Sequence, residues 1–454
     1  MSKLFGTSGV RGVINVEVSP RLAFDIGLAV STILQGKKVA VACDTRRSGP
    51  MLLSSFVSGV MAGGSDAINL GILPTPVLAY LTRILSFDVG AMITASHNPP
   101  EYNGIKLFDR TGIAYGPIEQ SAVERNIESG ERRLTTWDRV GILDSMDETD
   151  RYVEMVTGQV HLKKRWRLVV DPGCGAAASL APHILSLLGC NVTSVNAQPD
   201  GFFPGRTPEP SAEGLKHLSS FVEMSGADLG IAYDGDADRV AFVDERGIFM
   251  PFDRSLAAIA GYFLGQSNGG IVITPIDASM SVDEVARGEG GVVERTAVGD
   301  VQVVRAIKEK RAIFGGEPCG AWIIPRFHMC PDGILSSVMF LQALETMDVS
   351  ASKFISRVPE YPIRRAKVKC SPMAKASAMA ILKSRLPKRF QEGVQVSFLD
   401  GIRISTEDWW LLVRSSGTES TVRVTAEAKT EETVERIFGL GLAEASNAVK
   451  EIGL

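Results

Sequence analysis

The chain lacks paired cysteines. Cys43, Cys174, Cys190, Cys319, Cys330 and Cys370 are scattered without a CxxC spacing, which argues against a disulfide framework or a structural zinc site and suits reduced core thiols. An excess of either charge is also missing: 48 Lys plus Arg face 52 Asp plus Glu, a net charge of −4. No broad basic field is therefore available to hold a nucleic acid or an anionic membrane, although a few local arginines could hold a small anionic substrate. Long apolar runs are absent too. The best stretch, Leu22 to Leu34, is interrupted by Asp25 and falls short of the roughly 18 residues a membrane helix needs. The opening residues, Met1 to Thr7, have no apolar centre of a signal peptide, so a cytoplasmic location is expected. Histidine is scarce, and His161, His183, His217 and His328 stand in no partner motif, which makes them structural rather than catalytic candidates.

What is present is a weak internal triplication. With 454 residues the chain exceeds what one core usually serves, and three or four domains are expected. Short apolar runs open three units at Lys38 to Asp44, Arg167 to Asp171 and Gly270 to Thr274. Second runs follow at Ala67 to Gly71, Asn191 to Val195 and Gly291 to Arg295, and third runs at Val89 to Ala95, Leu229 to Tyr233 and Arg311 to Phe314. Stretches with helical apolar spacing lie between them, among them Met51 to Met61, Ala177 to Leu188 and Val301 to Lys308. The alternation predicts an α/β protein of three related β-α-β-α-β domains with mixed or mostly parallel sheets. From about residue 361 the pattern changes: Val394 to Phe398 and Trp409 to Val413 read as antiparallel strands around Asp400-Gly401, and Glu431 to Ile452 as a helix. This predicts a smaller α+β domain. The expected divisions are 1–150, 151–251, 252–360 and 361–454.

Ligands of such sheets sit at the carboxyl ends of the strands, so the three closing loops come first. In Thr94-Ala95-Ser96-His97-Asn98-Pro99-Pro100, Ser96 leaves a buried strand hemmed in by His97 and two prolines, the constrained presentation a nucleophile needs; a surface turn with an incidental serine is the plain alternative. In Asp234-Gly235-Asp236-Ala237-Asp238-Arg239, three alternate carboxylates point one way in an extended loop, and hard oxygen ligands so crowded favour Mg²⁺ or Ca²⁺ over zinc; the competing reading is a solvated acidic turn. In Gly315-Gly316-Glu317-Pro318-Cys319-Gly320, Glu317 could accept hydrogen bonds from a pair of sugar hydroxyls, or belong to an ordinary turn. Arg414-Ser415-Ser416-Gly417-Thr418-Glu419, with Arg423, has the composition of a phosphate site. Arg11, in Thr7-Ser8-Gly9-Val10-Arg11-Gly12, could steady a phosphoserine. Gly173-Cys174-Gly175-Ala176-Ala177-Ala178 nominally fits a dinucleotide fingerprint, but the next strand ends without an acidic residue to hold a ribose; it reads as a tight strand-to-helix turn.

Taken together, TSGVRG from Thr7, TASHNPPEYNGIK from Thr94, DGDADR from Asp234, GGEPCG from Gly315 and RSSGTE from Arg414 make the chain resemble the α-D-phosphohexomutase superfamily over essentially its whole length. The resemblance implies a heart-shaped arrangement of four domains around a central cleft. It implies that Ser96 carries the phosphate; that Asp234, Asp236 and Asp238 bind Mg²⁺ with an oxygen of phosphorylated Ser96; and that Arg11, Lys106 and His97 stand beside the phosphoserine. Arg239 would close the metal loop, Glu317 and Cys319 would contact the sugar, and Arg414, Ser416, Gly417, Thr418 and Arg423 would hold the distal phosphate. The implied cycle passes through a hexose 1,6-bisphosphate, which also serves as activator. Cys319 and Ala321 depart from the residues many relatives carry there. Val298-Gly299-Asp300 after Arg295-Thr296 resembles the phosphoglucosamine mutase branch most, so glucosamine 6-phosphate and glucosamine 1-phosphate are the expected pair, with phosphomannomutase or phosphoglucomutase activity as the alternative. A phosphatase using Asp234 as nucleophile, or a sugar-phosphate sensor without turnover, are readings of a different class. The expected partners are small-molecule sugar phosphates, with no nucleic acid and no membrane; a homodimer stays open.

Overall fold

A computed structural model of the chain describes residues 4–452, apart from 7, 36, 132, 391–392 and 417–419. Among these, the first sheet contains β1 (Val10–Val13), β2 (Lys38–Cys43), β3 (Asp66–Ile72), β4 (Val89–Ile93), β5 (Tyr102–Asp109) and β6 (Leu143–Ser145), in the order β1-β5-β4-β2-β3-β6. The second contains β7 (Arg167–Asp171), β8 (Asn191–Ser194), β9 (Leu229–Tyr233) and β10 (Val240–Val243), in the order β10-β9-β7-β8. The third contains β11 (Gly270–Pro275), β12 (Gly291–Thr296), β13 (Phe314–Gly316) and β14 (Trp322–Ile323), in the order β12-β11-β13-β14. The last contains β15 (Ile363–Lys369), β16 (Gln395–Ser397), β17 (Ile402–Ser405), β18 (Trp409–Ser415) and β19 (Thr421–Ala428), in the order β15-β19-β18-β17-β16.

The triplication is one topology used three times. In each of the first three sheets the opening strand is central and parallel to the second and third, and a fourth strand turns back antiparallel beside the third. Strands β4 and β9 are buried along their whole length, which is why they read as unbroken apolar runs. Every closing loop therefore leaves the carboxyl end of a buried strand and hands the chain to an antiparallel neighbour. Two details differ from the sequence reading. Arg311 ends the helix Asp300–Lys310 in a left-handed conformation, φ 54°, so the third closing strand begins only at Phe314. The segments around Asp400-Gly401 are not paired with each other; β17 lies between β16 and β18.

One continuous apolar core runs through the first three domains. It takes in Ala40, Met92 and Phe108 of the first, Leu168, Ile231 and Phe242 of the second, and Val272, Phe314, Trp322 and Phe340 of the third. The helix Gly333–Thr346, buried on nearly every side, is its spine. The C-terminal domain has its own core, with Ile402, Leu411, Val424 and Ile437. It meets the third domain through a small cluster of Ile276, Trp410 and Leu412. There Glu427 accepts hydrogen bonds from Ser279 Oγ (2.5 Å), Met280 N (2.7 Å) and Trp410 Nε1 (2.6 Å). Among the described residues no helix is long and apolar enough to cross a membrane.

Candidate active site

Ser96 follows β4 by three residues and adopts φ 52°, a left-handed backbone that costs a non-glycine residue about 1–2 kcal/mol. Arg46 holds it there. This fully buried side chain donates from Nη2 to Ser96 O (2.8 Å) and Asn98 O (2.6 Å), and from Nη1 to Pro99 O (2.6 Å) and Tyr102 O (2.9 Å). Its Nε donates to Asp44 Oδ2 at 3.0 Å. Asp44 accepts in turn from Thr94 Oγ1 (2.7 Å), and Thr94 Oγ1 accepts from Ser96 N (2.8 Å). The serine loop is thus tied to the loop after β2 by a closed set of charge-assisted bonds.

Across the domain boundary, Ser96 Oγ donates to Asp234 Oδ2 at 2.6 Å. The approach needs Gly235: a Cβ there would lie 2.5 Å from Ser96 O. Asp234, Asp236 and Asp238 are all buried and can each turn an oxygen to within 4.8 Å of the others. Ala237 takes φ 58°, and the turn is clamped from outside. Gly333 N donates to Ala237 O (3.0 Å), Val240 N donates to Gly320 O (3.1 Å), and Thr75 donates from N to Asp236 O (2.9 Å) and from Oγ1 to Asp236 Oδ2 (2.5 Å). The glycine-rich turn rejected above as a dinucleotide motif packs behind this loop, with Ala176 N donating to Gly235 O at 2.9 Å.

Burial, then the charges of Asp236 and Asp238, push Asp234 well above the usual carboxylate range. Asp238 is pushed up to about 6 by burial and Asp236, with Lys106 and Arg239 pulling the other way. Asp236 Oδ1 and Asp238 Oδ1 are buried without a hydrogen-bond partner among the described residues. Mutually repelling carboxylates with orphaned oxygens are the donor set a hard divalent cation satisfies, so the residues present fit Mg²⁺.

Around the triad the charges are complementary. Lys106, on β5, is buried, with Nζ 2.6 Å from Asp300 Oδ2 and 3.7 Å from Asp238 Oδ2. Burial would lower it, but these carboxylates more than reverse that and hold it charged. Arg11 stands on β1 opposite Gly104, whose Cβ would meet Val10 O at 2.1 Å; Arg11 Nε is buried without a partner among the described residues. His97 Nδ1 lies 3.3 Å from Ser96 Oγ. The Arg239 guanidinium, burial, and then Arg11 and Arg46 push His97 down to about 2, so its ring is neutral. Glu317 accepts from Gly299 N at 2.8 Å and is pushed up to about 7 by burial and Asp300. Cys319 lies in the same loop, its thiol pushed up to about 12 by burial.

The C-terminal residues form a separate cluster. Arg414 and Arg423 face each other across β18 and β19, and Lys367 is opposite Arg423 on β15. Arg414 reaches out to Asp277 and Asp400, each 3.7 Å away. Ser416 is buried, and its carbonyl accepts from Lys375 Nζ at 2.7 Å. Gly417 and Thr418 lie outside the described residues. The structure thus gathers Ser96, His97, Arg11, Lys106 and Arg239 around the three aspartates, with Glu317 and Cys319 beside Arg239, and sets Arg414, Ser416 and Arg423 on the fourth domain. Sequence reasoning missed Arg46, Asp44 and Thr75, and noted Asp300 only as a branch marker. Asp44 and Arg46 follow an opening strand at its carboxyl end, the rule that found the closing loops.

Four domain families described as phosphoglucomutase/phosphomannomutase match the chain in order: alpha/beta/alpha domains I, II and III at residues 2–134, 150–247 and 251–361, and the C-terminal domain at 366–439. The chain belongs to the phosphoglucomutase/phosphomannomutase family. Family relatives include a protein of Pyrococcus horikoshii named "Probable phosphoglucosamine mutase", 41% identical over 452 residues, covering 100% of this chain and 99% of the relative. A protein of the same name from Methanothermobacter thermautotrophicus is 44% identical and covers 95% of each chain. Among solved structures, a phosphoglucomutase/phosphomannomutase family protein of Burkholderia thailandensis superposes with a TM-score of 0.89 at 27% identity, covering 99% of this chain and 98% of the other. In this family's terms the chain is a phosphohexomutase with three α/β domains and a C-terminal domain.

Proposed function

We propose that the chain interconverts glucosamine 6-phosphate and glucosamine 1-phosphate, carrying the phosphoryl group on Ser96 and passing through a 1,6-bisphosphate. The observation that carries this reading is the 2.6 Å contact between Ser96 Oγ and Asp234 Oδ2, made by a strained serine of one domain facing the acidic loop of the next. The relatives' names and the Arg295-Thr296, Val298-Gly299-Asp300 segment support the amino sugar. Divisions near residues 150, 251 and 360 belong to the same proposal.

Asp234, Asp236 and Asp238, with an oxygen of phosphorylated Ser96, would hold Mg²⁺. Bound there, the ion would draw negative charge from the phosphoryl oxygens as the group transfers. The protein's own groups do the rest. Lys106, fixed between Asp300 and Asp238, and Arg11, with an unused Nε, supply positive potential without having to reorganise. In the forward step the bond between phosphorus and Ser96 Oγ breaks and one to the sugar hydroxyl forms, so the hydroxyl's proton must end on Ser96 Oγ. His97 Nδ1 lies 3.3 Å from Oγ, within relay distance, but with its ring pushed down to about 2 it can hand a proton on only as it receives one and does not hold it as a base. Glu317 and Cys319 would read the sugar, and Arg414, Ser416, Gly417, Thr418 and Arg423 the distal phosphate, in both orientations of the bisphosphate.

Intact mass of the purified protein before and after hexose 1,6-bisphosphate tests the reaction. One added phosphoryl group on Ser96, and a folded but inactive Ser96→Ala variant, are expected. Label on Asp234, with Ser96→Ala still active, would establish the phosphatase instead; binding without turnover would establish the sensor. Comparative turnover of glucosamine, mannose and glucose 6-phosphates tests the sugar, and a preference for mannose 6-phosphate overturns the choice made here.

A further inference from the structure

We infer that Thr75 is a positioning residue for the divalent cation, acting through Asp236; this rests on the reading of the three aspartates as the cation site. Thr75 opens the helix Thr75–Ile84 and sits between Pro74 and Pro76, whose rings restrict the backbone on either side. It is completely buried. Its N–H belongs to the first helical turn, where amides have no partner inside the helix; it donates instead to Asp236 O at 2.9 Å. The hydroxyl donates to Asp236 Oδ2 at 2.5 Å, a short charge-assisted bond. One residue of the first domain therefore grips both the backbone and the side chain of the middle aspartate in the second domain's loop.

The consequence is directional. With Oδ2 engaged by the hydroxyl, Asp236 has Oδ1 left to offer, and that oxygen is buried without a partner among the described residues. The bond to Asp236 O fixes the backbone at that residue, and the bond to Oδ2 holds its carboxylate against rotation. Because Ser96 belongs to the same domain as Thr75, the grip sets the aspartate loop in register with the serine it must face. Partners that orient a metal ligand in this way typically change metal affinity 10–100-fold when removed.

Thr75→Val keeps the shape and the backbone N–H but removes the hydroxyl; Thr75→Ser keeps the hydroxyl. The full-length wild type and both variants are titrated with Mn²⁺, read by electron paramagnetic resonance of the free ion, and melted in EDTA. The expected result is Mn²⁺ binding weakened roughly 10–100-fold in Thr75→Val, affinity close to wild type in Thr75→Ser, and a folded chain in all three, with Thr75→Val melting somewhat lower in EDTA because the buried Asp236 carboxylate loses a donor. Wild-type affinity in Thr75→Val, or equal weakening in both variants, overturns the inference. So does a Thr75→Val chain that fails to fold in EDTA, because the hydroxyl would then hold the fold rather than the ion. A wild type that binds no Mn²⁺ overturns the cation site itself, a different failure.

Discussion

Replacing Arg46 by lysine keeps the charge and most of the length, yet the structure says it should disable the serine loop. The guanidinium makes five side-chain hydrogen bonds, one to Asp44 and four to the carbonyls of Ser96, Asn98, Pro99 and Tyr102, and lies over the Phe203 ring at 5.2 Å. An ammonium has three donors on one atom and cannot reproduce the planar fork. At least two of the five acceptors, three of which are in part-buried bonds, then lose their donor, at about 1 kcal/mol each at the lower end of the usual range. Two at the lower bound give about 2 kcal/mol, similar to what Ser96 stores in its left-handed backbone, so the loop can relax and Ser96 Oγ leaves Asp234. A loss of about 2 kcal/mol from the transferring geometry is roughly a 30-fold fall in rate. The assay is the rate at which hexose 1,6-bisphosphate phosphorylates Ser96 in Arg46→Lys, followed by rapid-quench intact mass, with steady-state turnover alongside. KM should change little, since the side chain is fully buried beneath the loop. A variant that phosphorylates at the wild-type rate and melts at the wild-type temperature would refute the reasoning.

Two further perturbations test other parts of the site. Glu317 is pushed up to about 7 by burial and then by Asp300. Its folded value therefore lies above the unfolded one, so its contribution to stability is full below about 4.5 and is lost as pH rises through about 7. Glu317→Gln should gain melting temperature relative to wild type between pH 5 and 8; a constant difference across that range would show that the side chain is not the titrating group. Glu427→Ala removes the acceptor shared by Ser279, Met280 and Trp410; Ser279 can turn its hydroxyl to Ser281 Oγ, 2.8 Å away, which leaves two donors unpaired at a cost of about 2 kcal/mol or more. Calorimetry should show the C-terminal domain melting earlier than the rest, and a single unshifted transition would mean that this carboxylate does not hold the two domains together.

The sequence exposes what is repeated or bunched. Buried parallel strands leave unbroken apolar runs, which made the triplication visible, and a loop such as Asp234 to Asp238 concentrates its chemistry in five consecutive residues. Arg46 and Thr75 are single residues whose meaning depends on a partner far along the chain: Arg46 acts on a loop some 50 residues away, and Thr75 on an aspartate 161 residues away. The Asp44-Thr45-Arg46 segment after β2 carried a positional signal, because it too leaves the carboxyl end of a parallel strand. Thr75 had only its flanking prolines to mark it. β17 was overlooked because its four residues alternate buried and half-buried positions close to a turn, too short a pattern to separate from the neighbouring strands.

The site is divided so that no domain holds a working part of it. The serine comes from the first domain, the aspartates from the second, and Asp300, the partner that keeps Lys106 charged, from the third. Such a division functions only if the three loops keep a common register, and the continuous core beneath them supplies it. The backbone bonds from Gly333 and Val240, together with Thr75, carry that register into the aspartate loop itself. The basic cluster around Arg414 is built differently. Its domain has a separate core and is joined to the third by a contact of a few apolar residues, one buried carboxylate, a bond from Val298 N to Asp400 Oδ2 at 3.1 Å, and ion pairs such as Arg414 to Asp277 at 3.7 Å and Arg365 to Asp253 at 3.0 Å. Arg414 also lies 3.7 Å from Asp400 of its own domain. In the proposed phosphate site the two Arg414 pairs, at 3.7 Å to carboxylates 25% and 27% exposed, are long enough for a phosphate dianion to compete for Arg414. On the proposed cycle, a bisphosphate turning end for end would need one end of its site immovable and the other able to let go, and the continuous core lies beneath the Ser96 end.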